Sequence, residues 1–276
     1  MKIAVLSGKG GAGKTMVATN LARVMNYCYV DCDVEEPNGN LFFKSEFIET
    51  KTVYNQLPII DMNLCNACRK CADFCAFNAL AFIRNQPMLF PGICHSCGGC
   101  KVVCPQNAID YQDHAIGKIN IGRSLNNQII TGEMNTNEES GIKIIKDLNY
   151  LTKDLDNVIY DCPPGSACSV MENVENADFC ILVIESTAFG FHNFCMVHEL
   201  VKIMHKPCAV IINKYESEYP PLTEYLEKEK LDVLLTLNFD LKLSKLISDA
   251  KLVVDEDEGI KERFNTVANK LRSLAL

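Results

Sequence analysis

Apolar residues in this chain fall into short continuous runs, and a turn or a helical pattern follows each run. Residues 2–7 (KIAVLS) form the first run and lead into a glycine-rich loop, and a helical pattern covers residues 14–25. Residues 27–33 (YCYVDCD) form a second run, which ends in carboxylates. A strand, a helix and a strand at this spacing predict a βαβ unit in a parallel sheet.

The same alternation returns in the second half of the chain. Three further runs predict buried strands at 158–165 (VIYDCPPG), 179–186 (FCILVIES) and 207–214 (PCAVIINK). Helical patterns lie at 141–150, 190–205, 221–230 and 259–274. We therefore expect an α/β fold with a doubly wound, mostly parallel sheet.

Residues 61–115 interrupt this pattern. They contain eight of the 15 cysteines, between Cys65 and Cys104, and show little periodicity. We expect them to form a small inserted α+β domain that cannot fold without metals. The larger domain then consists of residues 1–60 and 116–276, and residues 116–140 return the chain to the edge of the sheet.

Charge and hydropathy argue against several classes of protein. The net charge is −8 with no basic block, which argues against nucleic-acid binding. No run of 18 uncharged apolar residues predicts a membrane span, and the N-terminus lacks the features of a signal peptide, so we expect a cytoplasmic protein. The amphipathic pattern at 259–274 predicts a helix that covers the sheet, with membrane attachment as the less favoured alternative.

Residues 8–15 (GKGGAGKT) fit the phosphate-binding pattern G-x-x-x-x-G-K-[ST], after a strand and before a helix. Backbone N–H groups of such a loop wrap phosphates, and the helix N-terminus favours their negative charge. Lys14 should reach the β and γ phosphates, and the Thr15 hydroxyl should bind Mg²⁺. The predicted nucleotide-binding residues in this loop are Gly8, Gly10, Gly11, Ala12, Gly13, Lys14 and Thr15.

The cysteines of residues 61–115 form two runs of C-x2-C-x2-C-x3-C. The first run is Cys65, Cys68, Cys71 and Cys75, and the second is Cys94, Cys97, Cys100 and Cys104. A zinc ribbon would show pairs of C-x2-C at longer separation. The repeated spacing is that of bacterial two-cluster ferredoxins, in which the fourth cysteine of each run binds the other cluster.

This spacing predicts two [4Fe–4S] clusters with crossed ligand sets. One would use Cys65, Cys68, Cys71 and Cys104, and the other Cys94, Cys97, Cys100 and Cys75. Ala76 follows Cys75, where the ferredoxin pattern prefers proline, but proline supplies no ligand. His95 lies between ligands of a filled set and is expected to be a spacer or a hydrogen-bond donor.

Together, GKGGAGKT, DCDVEEPN, DCPPGSAC, IINK and the two cysteine runs resemble the MinD/ParA superfamily of P-loop ATPases with an inserted ferredoxin domain. The resemblance covers nearly the whole chain and extends to the nitrogenase iron protein and the Mrp-type cluster carriers. It implies ATP or ADP with Mg²⁺ as ligand, and a homodimer, or a pseudo-dimer with a paralogue, formed across the nucleotide. A redox protein or a metalloenzyme is the further partner that it implies.

The resemblance also implies roles for residues outside the loop glycines. Lys9 would act in trans on the partner's nucleotide. Asp33, which follows Asp31 at a strand end, would position the attacking water, and Asp161 would hold Mg²⁺ through water. Gly165 would sense the γ-phosphate, and the nucleotide base would contact Asn213 and Lys214.

Three functions remain open at this stage. The first is an ATPase that couples nucleotide state to electron transfer through the clusters. The second is a carrier of clusters or a maturation ATPase, and the third is a positioning ATPase whose clusters are structural. Cys162 and Cys168 flank the segment DCPPGSAC, where a further metal site bridging two subunits is an alternative to ordinary burial.

Overall fold

The computed structural model describes residues 1–274, which form eleven strands and eleven α-helices. The strands are β1 Lys2–Ser7, β2 Cys28–Asp31, β3 Glu46–Ile60, β4 Leu80–Ile83, β5 Gln86–Leu89, β6 Ile109–Ser124, β7 Asn127–Met134, β8 Val158–Asp161, β9 Phe179–Glu185, β10 Cys208–Tyr215 and β11 Val233–Asn238. The helices are α1 Lys14–Met25, α2 Gly39–Phe43, α3 Lys70–Phe74, α4 Gly99–Val102, α5 Ile142–Leu151, α6 Cys168–Asn176, α7 Ala188–Ile203, α8 Pro220–Glu229, α9 Leu241–Ser248, α10 Val253–Glu256 and α11 Glu258–Leu274.

Nine of the strands form one sheet in the order β11-β10-β9-β1-β8-β2-β7-β6-β3. The strands from β11 to β7 are parallel to one another, whereas β6 is antiparallel to both of its neighbours. The strands β4 and β5 form a separate hairpin. The predicted α/β fold with a mostly parallel sheet is therefore confirmed.

Each face of the sheet carries its own hydrophobic core. One core includes Ile144 of α5, Val170 of α6 and Phe194 of α7. The other includes Val17 of α1 and Phe264 of α11. Because helices cover both faces, the central parallel strands are continuous apolar runs, as their sequences predicted.

The predicted strands match β1, β2, β8, β9 and β10 to within a few residues, and the predicted helices match α1, α5, α7, α8 and α11. The hydrophobic pattern of the sequence did not predict β3, β6, β7 and β11. In β3, all residues from Glu46 to Thr52 are at least partly exposed, so no buried apolar run marks this edge strand. The confirmed part of α11 ends at residue 274, and the last two residues of the predicted larger domain lie outside the described residues.

The two long strands β3 and β6 extend past the rest of the sheet. Met134, the last residue of β7, pairs with Gly117 of β6, whereas the pairing of β3 with β6 continues to Ile60 and Ile109. At roughly 3.3 Å per residue this extension is on the order of 20 Å long. The cysteine-rich residues 61–108, hereafter the cysteine module, sit at its end, beyond the carboxyl edge of the parallel strands. The predicted boundary between residues 115 and 116 falls inside β6, and the division into two domains stays a prediction.

Within residues 1–274, no helix combines the length and the apolar character that crossing a membrane requires.

Candidate functional site

The loop between β1 and α1 depends on glycine at its last position. Gly13 has a φ of 91°, in the left-handed region that favours glycine. A Cβ atom at this position would also come within 2.1 Å of Asn213 Nδ2. Asn213 itself donates from Nδ2 to the carbonyl oxygen of Ala12 at 2.9 Å. Asn213, near the end of β10, therefore stabilises the conformation of the loop.

Lys14, the first residue of α1, forms a buried ion pair at the floor of the loop. Its Nζ donates to Asp161 Oδ1 at 2.7 Å and lies 3.9 Å from Asp33 Oδ2. Tyr29 donates its hydroxyl to Asp161 Oδ2 at 2.8 Å. Burial lowers the pKa of Lys14, but the charge and hydrogen bond of Asp161, together with the charges of Asp33 and Asp31, outweigh this effect, so the pKa lies above its ordinary value. The site thus keeps a lysine cation where phosphates would bind.

Two further carboxylates end or follow β2. Asp31 is buried and accepts hydrogen bonds from the backbone N–H groups of Gly39, at 2.9 Å, and of Asp33. Burial, reinforced by the nearby charge of Asp161, raises the pKa of Asp31 to about 8. Burial also raises the pKa of Asp33 to about 6. Asp33 lines the cavity described below, so it can accept a proton from a bound water near neutral pH.

Lys9 does not project freely from the loop. Its Nζ forms an ion pair with Glu185 at the end of β9 and lies 5.5 Å above the ring of Phe189. Lys214 approaches the other oxygen of the same carboxylate at 2.8 Å and also donates to the Gly11 carbonyl at 2.6 Å. Glu185 therefore holds both lysines within one subunit. Action of Lys9 in trans stays a prediction, and it requires this ion pair to break.

A cavity of about 390 Å³ opens above the loop. The loop residues Lys9 to Thr15 line it, except Ala12, and so does Asp33. The predicted base-contacting residues Asn213 and Lys214 line the same cavity. Phe42 of α2 and residues of the segment 238–247 also line the cavity. The sequence pattern did not predict these residues, although Asn238 ends a parallel strand and the carboxyl ends of such strands carry ligand sites.

Thr15 lines the cavity, and Gly165 directly follows another lining residue, Pro164. Thr15 is half-buried. Gly165, with a φ of 92°, donates its N–H to the carbonyl oxygen of Ser7 at 2.9 Å. Asp161 is fully buried beneath Lys14, so it can act on Mg²⁺ only if Lys14 moves away.

The eight clustered cysteines line two cavities, and each cavity combines cysteines of both runs. The first is lined by Cys65, Cys68, Cys71 and Cys104. The second is lined by Cys75, Cys94, Cys97 and Cys100. These are the two crossed sets that the spacing predicted. In each cavity a backbone N–H donates to the sulfur of the crossing cysteine, from Ala108 to Cys104 at 3.4 Å and from Ala79 to Cys75 at 3.3 Å.

Four cysteines around an enclosed space suit a multi-iron group chemically, because thiolates hold such clusters. Burial raises the pKa of the Cys71 and Cys94 thiols, so a group that displaces their protons would have to supply compensating positive charge. Within residues 1–274, no group of three or more His, Cys, Asp or Glu side chains is arranged to hold a metal ion. The iron–sulfur prediction therefore depends on the spacing and on which cysteines share a cavity.

The remaining cysteines do not form a further cluster within the described part of the chain. Cys162 is buried after β8, whereas Cys168 is exposed at the start of α6. Cys28, Cys32 and Cys180 are also buried, and Cys195 and Cys208 are half-buried. Only Cys168 of the pair around DCPPGSAC faces solvent, so a subunit-bridging site that uses both cysteines requires this segment to rearrange.

Comparison with known proteins shows a family match over most of the chain. Residues 3–253 match the family described as the CobQ/CobB/MinD/ParA nucleotide binding domain. The uncharacterized protein MJ0578 of Methanocaldococcus jannaschii is 31% identical, over 99% of this chain and 96% of that protein. The uncharacterized protein MJ0579 of the same organism is 29% identical, over 78% of this chain and 80% of that protein.

Solved structures share the fold at lower identity. The septum site-determining protein MinD of Pyrococcus horikoshii, solved with Mg-ADP, has a TM-score of 0.60 at 18% identity, and the match covers 99% of this chain and 96% of that one. A substituted form of Cyanothece McdA, solved in complex with ATP, also has a TM-score of 0.60, at 13% identity, and the match covers 98% of this chain and 95% of that one. At these identities the likeness shows the fold.

Proposed function

The chain belongs to the CobQ/CobB/MinD/ParA nucleotide-binding family, and on this basis we propose that it is a Mg²⁺-dependent ATPase whose nucleotide state controls two [4Fe–4S] clusters in the cysteine module. The observation that carries the ATPase part is the buried pair of Lys14 and Asp161 beneath a glycine loop, beside the cavity that Thr15 and Asp33 line. MinD of Pyrococcus horikoshii binds Mg-ADP and McdA binds ATP, which supports a Mg-nucleotide in this cavity.

Each residue of the nucleotide site has a distinct task in this proposal. The negative charge of a triphosphate draws Lys14 from Asp161, because the phosphates offer it more acceptors than one carboxylate. Asp161 is then free to accept a hydrogen bond from water on Mg²⁺, to which Thr15 also contributes its hydroxyl. Asp33, whose pKa lies at about 6 through burial, orients the attacking water and takes up its proton.

The iron–sulfur part is supported by the two crossed cysteine sets, because each cavity brings together the four cysteines that the ferredoxin spacing assigns to one cluster. A [4Fe–4S] cluster would supply one-electron chemistry, with the electron provided by an external low-potential donor. The cysteines hold the cluster, and the N–H groups of Ala79 and Ala108 donate to the sulfur atoms of the crossing cysteines.

A short hydrogen-bonded path leads from the nucleotide site to the base of the extension that carries the cysteine module, and it supports coupling between the two regions. Val34 follows Asp33 directly, and its carbonyl oxygen accepts the Met134 N–H at 2.8 Å. The next residue, Asn135, donates its N–H to the Ile116 carbonyl oxygen at 2.8 Å, where the long extension of β6 begins. A shift of Asp33 upon nucleotide binding would therefore reach the base of the extension through two hydrogen bonds.

We place the dimer contact at the mouth of the nucleotide cavity. Lys9 lies there with the exposed Phe189 beside it. If two copies, or this chain and a paralogue, meet at this face, Lys9 can leave Glu185 and neutralise charge on the partner's nucleotide. The exposed Cys68 and Cys97 leave an edge of each cysteine cavity open to a redox protein or a metalloenzyme.

The test is a redox titration of protein purified without oxygen, in the presence and absence of Mg-ATP. We expect eight irons per chain, ATP hydrolysis, and reduction potentials that shift when Mg-ATP is added. Iron-free protein or zinc-loaded protein would overturn the iron–sulfur part, and failure to bind Mg-ATP would overturn the ATPase part. Potentials that do not respond to nucleotide would favour a positioning ATPase with structural clusters, and transfer of iron to an apo-protein would favour a cluster carrier.

A further inference from the structure

The two halves of the cysteine module are duplicates offset by 29 residues. Each cysteine from Cys65 to Cys75 has its counterpart between Cys94 and Cys104. The backbone repeats as well, since Ala67 and Ser96 both have positive φ values, of 56° and 53°. Differences in side chain at matched positions therefore report how the two cysteine cavities differ chemically.

One matched pair differs by a buried hydroxyl. Ala67 of the first half corresponds to Ser96 of the second, and Ser96 lines the second cavity, with Cys75, Cys94, Cys97 and Cys100. The Oγ atom of Ser96 is buried and has no hydrogen-bond partner among the described residues. A buried hydroxyl without a partner is costly, and a native structure usually explains it. An acceptor in the cavity would satisfy it.

A second matched pair adds another hydroxyl to the same cavity. Phe82 lines the first cavity and Tyr111 lines the second, again 29 residues apart. The Tyr111 hydroxyl lies 3.7 Å from Cys100 Sγ and donates to the Gly98 carbonyl oxygen at 2.9 Å. The second cavity therefore contains two side-chain hydroxyls, whereas Ala67 and Phe82, the residues at the matched positions of the first half, have none.

The first cavity has its own polar residues, but they face water. Asn66, Arg69 and Gln106 line it and are exposed. The Arg69 guanidinium lies 5.6 Å from the Phe82 ring centroid, and solvent screens its charge. Water also reaches both cavities at matched positions, because Cys68 and Cys97 are both exposed. The two cavities therefore differ in the buried Ser96 hydroxyl rather than in their exposure to water.

From this asymmetry we infer that the Ser96 hydroxyl donates to a sulfur atom of the cluster in the second cavity, which makes that cluster the first of the two to accept an electron. This inference rests on the proposed function. An added electron increases the negative charge on the sulfur atoms, so a hydrogen-bond donor stabilises the reduced form and raises the reduction potential. The electron comes from an external one-electron reductant and remains on the cluster, and no bond is broken.

The experiment is a redox titration of the iron-loaded protein with dithionite, followed by electron paramagnetic resonance. Ser96→Ala should make the upper of the two reduction steps about tenfold less favourable in equilibrium constant. This lowers its reduction potential by about 59 mV for a one-electron couple, and the potential of the lower step should not change. Alanine is tolerated at this backbone conformation, since Ala67 adopts it in the duplicate.

The matched control is Ala67→Ser, which introduces the same hydroxyl at the corresponding position of the first half, where the backbone has the same conformation. It should raise the reduction potential of the lower step and leave that of the upper step unchanged. This variant still tests the inference if Ser96→Ala loses iron. The inference is wrong if Ser96→Ala moves neither step or moves the lower one, or if both variants act on the same step.

The iron content of the unsubstituted protein separates the two levels of proposal. Protein without iron overturns the proposed function. Protein that contains eight irons, but whose upper step is insensitive to Ser96→Ala, overturns this inference and leaves the proposed function intact.

Discussion

The nucleotide cavity and the cysteine module share the carboxyl edge of one sheet, yet different interactions hold them together. At the nucleotide cavity, Lys14 and Tyr29 both donate to Asp161, beneath a loop that buried strands support. In the cysteine module, the buried hydrophobic cluster consists of Cys71 and Leu80, which pack with Ile109 at the start of β6. The large core preorganises the first site, whereas much of the core of the cysteine module consists of residues assigned to a cofactor.

This difference predicts how the two regions respond to loss of their ligands. The nucleotide site keeps its geometry without nucleotide because its charges are paired internally. A module with so small a core gains its stability from the bound metal. Four experiments test the comparison, from the largest expected effect to the smallest.

Removing iron should unfold the cysteine module and spare the sheet. After treatment with ferricyanide and EDTA, backbone amides of residues 61–108 should exchange with solvent at least about a hundredfold faster, because the free energy of metal binding is also folding free energy. Hydrogen exchange followed by mass spectrometry measures this, with peptides from β1 and β8 as the internal control. Equal protection of the module with and without iron would show that its core suffices by itself.

Replacing the loop lysine should damage the nucleotide site and leave the module intact. Lys14→Ala should reduce ATP hydrolysis at least about a hundredfold through loss of phosphate charge stabilisation. It also leaves Asp161 buried without its partner, which costs about 3–5 kcal/mol in unfolding free energy. A phosphate-release assay and urea unfolding measure these effects.

Lys146→Ala is the control for this substitution, because the Lys146 side chain is 56% exposed and lies outside the residues that line the nucleotide cavity. Iron content should match the unsubstituted protein in both variants. Loss of iron in Lys14→Ala would show that the two regions fold as one unit.

Asp31 should make the stability of the nucleotide-free protein depend on pH. Burial raises its pKa to about 8, whereas the unfolded chain has an ordinary aspartate with a pKa of about 3.9. Between these values the folded state binds the extra proton, so unfolding free energy should fall as pH rises from about 4 to 8, by a few kcal/mol at most. Urea unfolding in EDTA at several pH values measures the slope. Asp31→Asn should flatten this curve, and a slope that persists in the variant would assign the effect to another group.

Releasing Lys9 should have the smallest effect. Glu185→Gln removes the carboxylate that holds Lys9 and Lys214 within one subunit. The association of two subunits with a non-hydrolysable ATP analogue should strengthen about two- to fivefold, in keeping with the small free energy of partly exposed ion pairs. Sedimentation equilibrium measures it, and Glu199→Gln, which disrupts an exposed pair with Lys202, is the control. Weaker association in Glu185→Gln would mean that Glu185 itself contributes to the dimer contact.

The local pattern identified most of the sheet and both chemical motifs. The strands β1, β2, β8, β9 and β10 were predictable because parallel strands with both faces covered are continuous apolar runs. The strands β3 and β6 were not, since one lies at the edge of the sheet and both extend past it, with many residues exposed. Exposed strands lack the hydrophobic signal on which the prediction depended.

The sequence by itself determined the phosphate loop, the buried strands and the crossed cysteine sets, because these depend on residue type and on spacing along a short stretch of chain. Only the tertiary structure decided which distant groups meet. It paired Lys9 with Glu185, 176 residues away, and placed the segment 238–247 at the nucleotide cavity. It also joined Val34 to Met134, at the base of the extension that carries the cysteine module. These contacts depend on the order of strands in the sheet, which no local pattern of residues records.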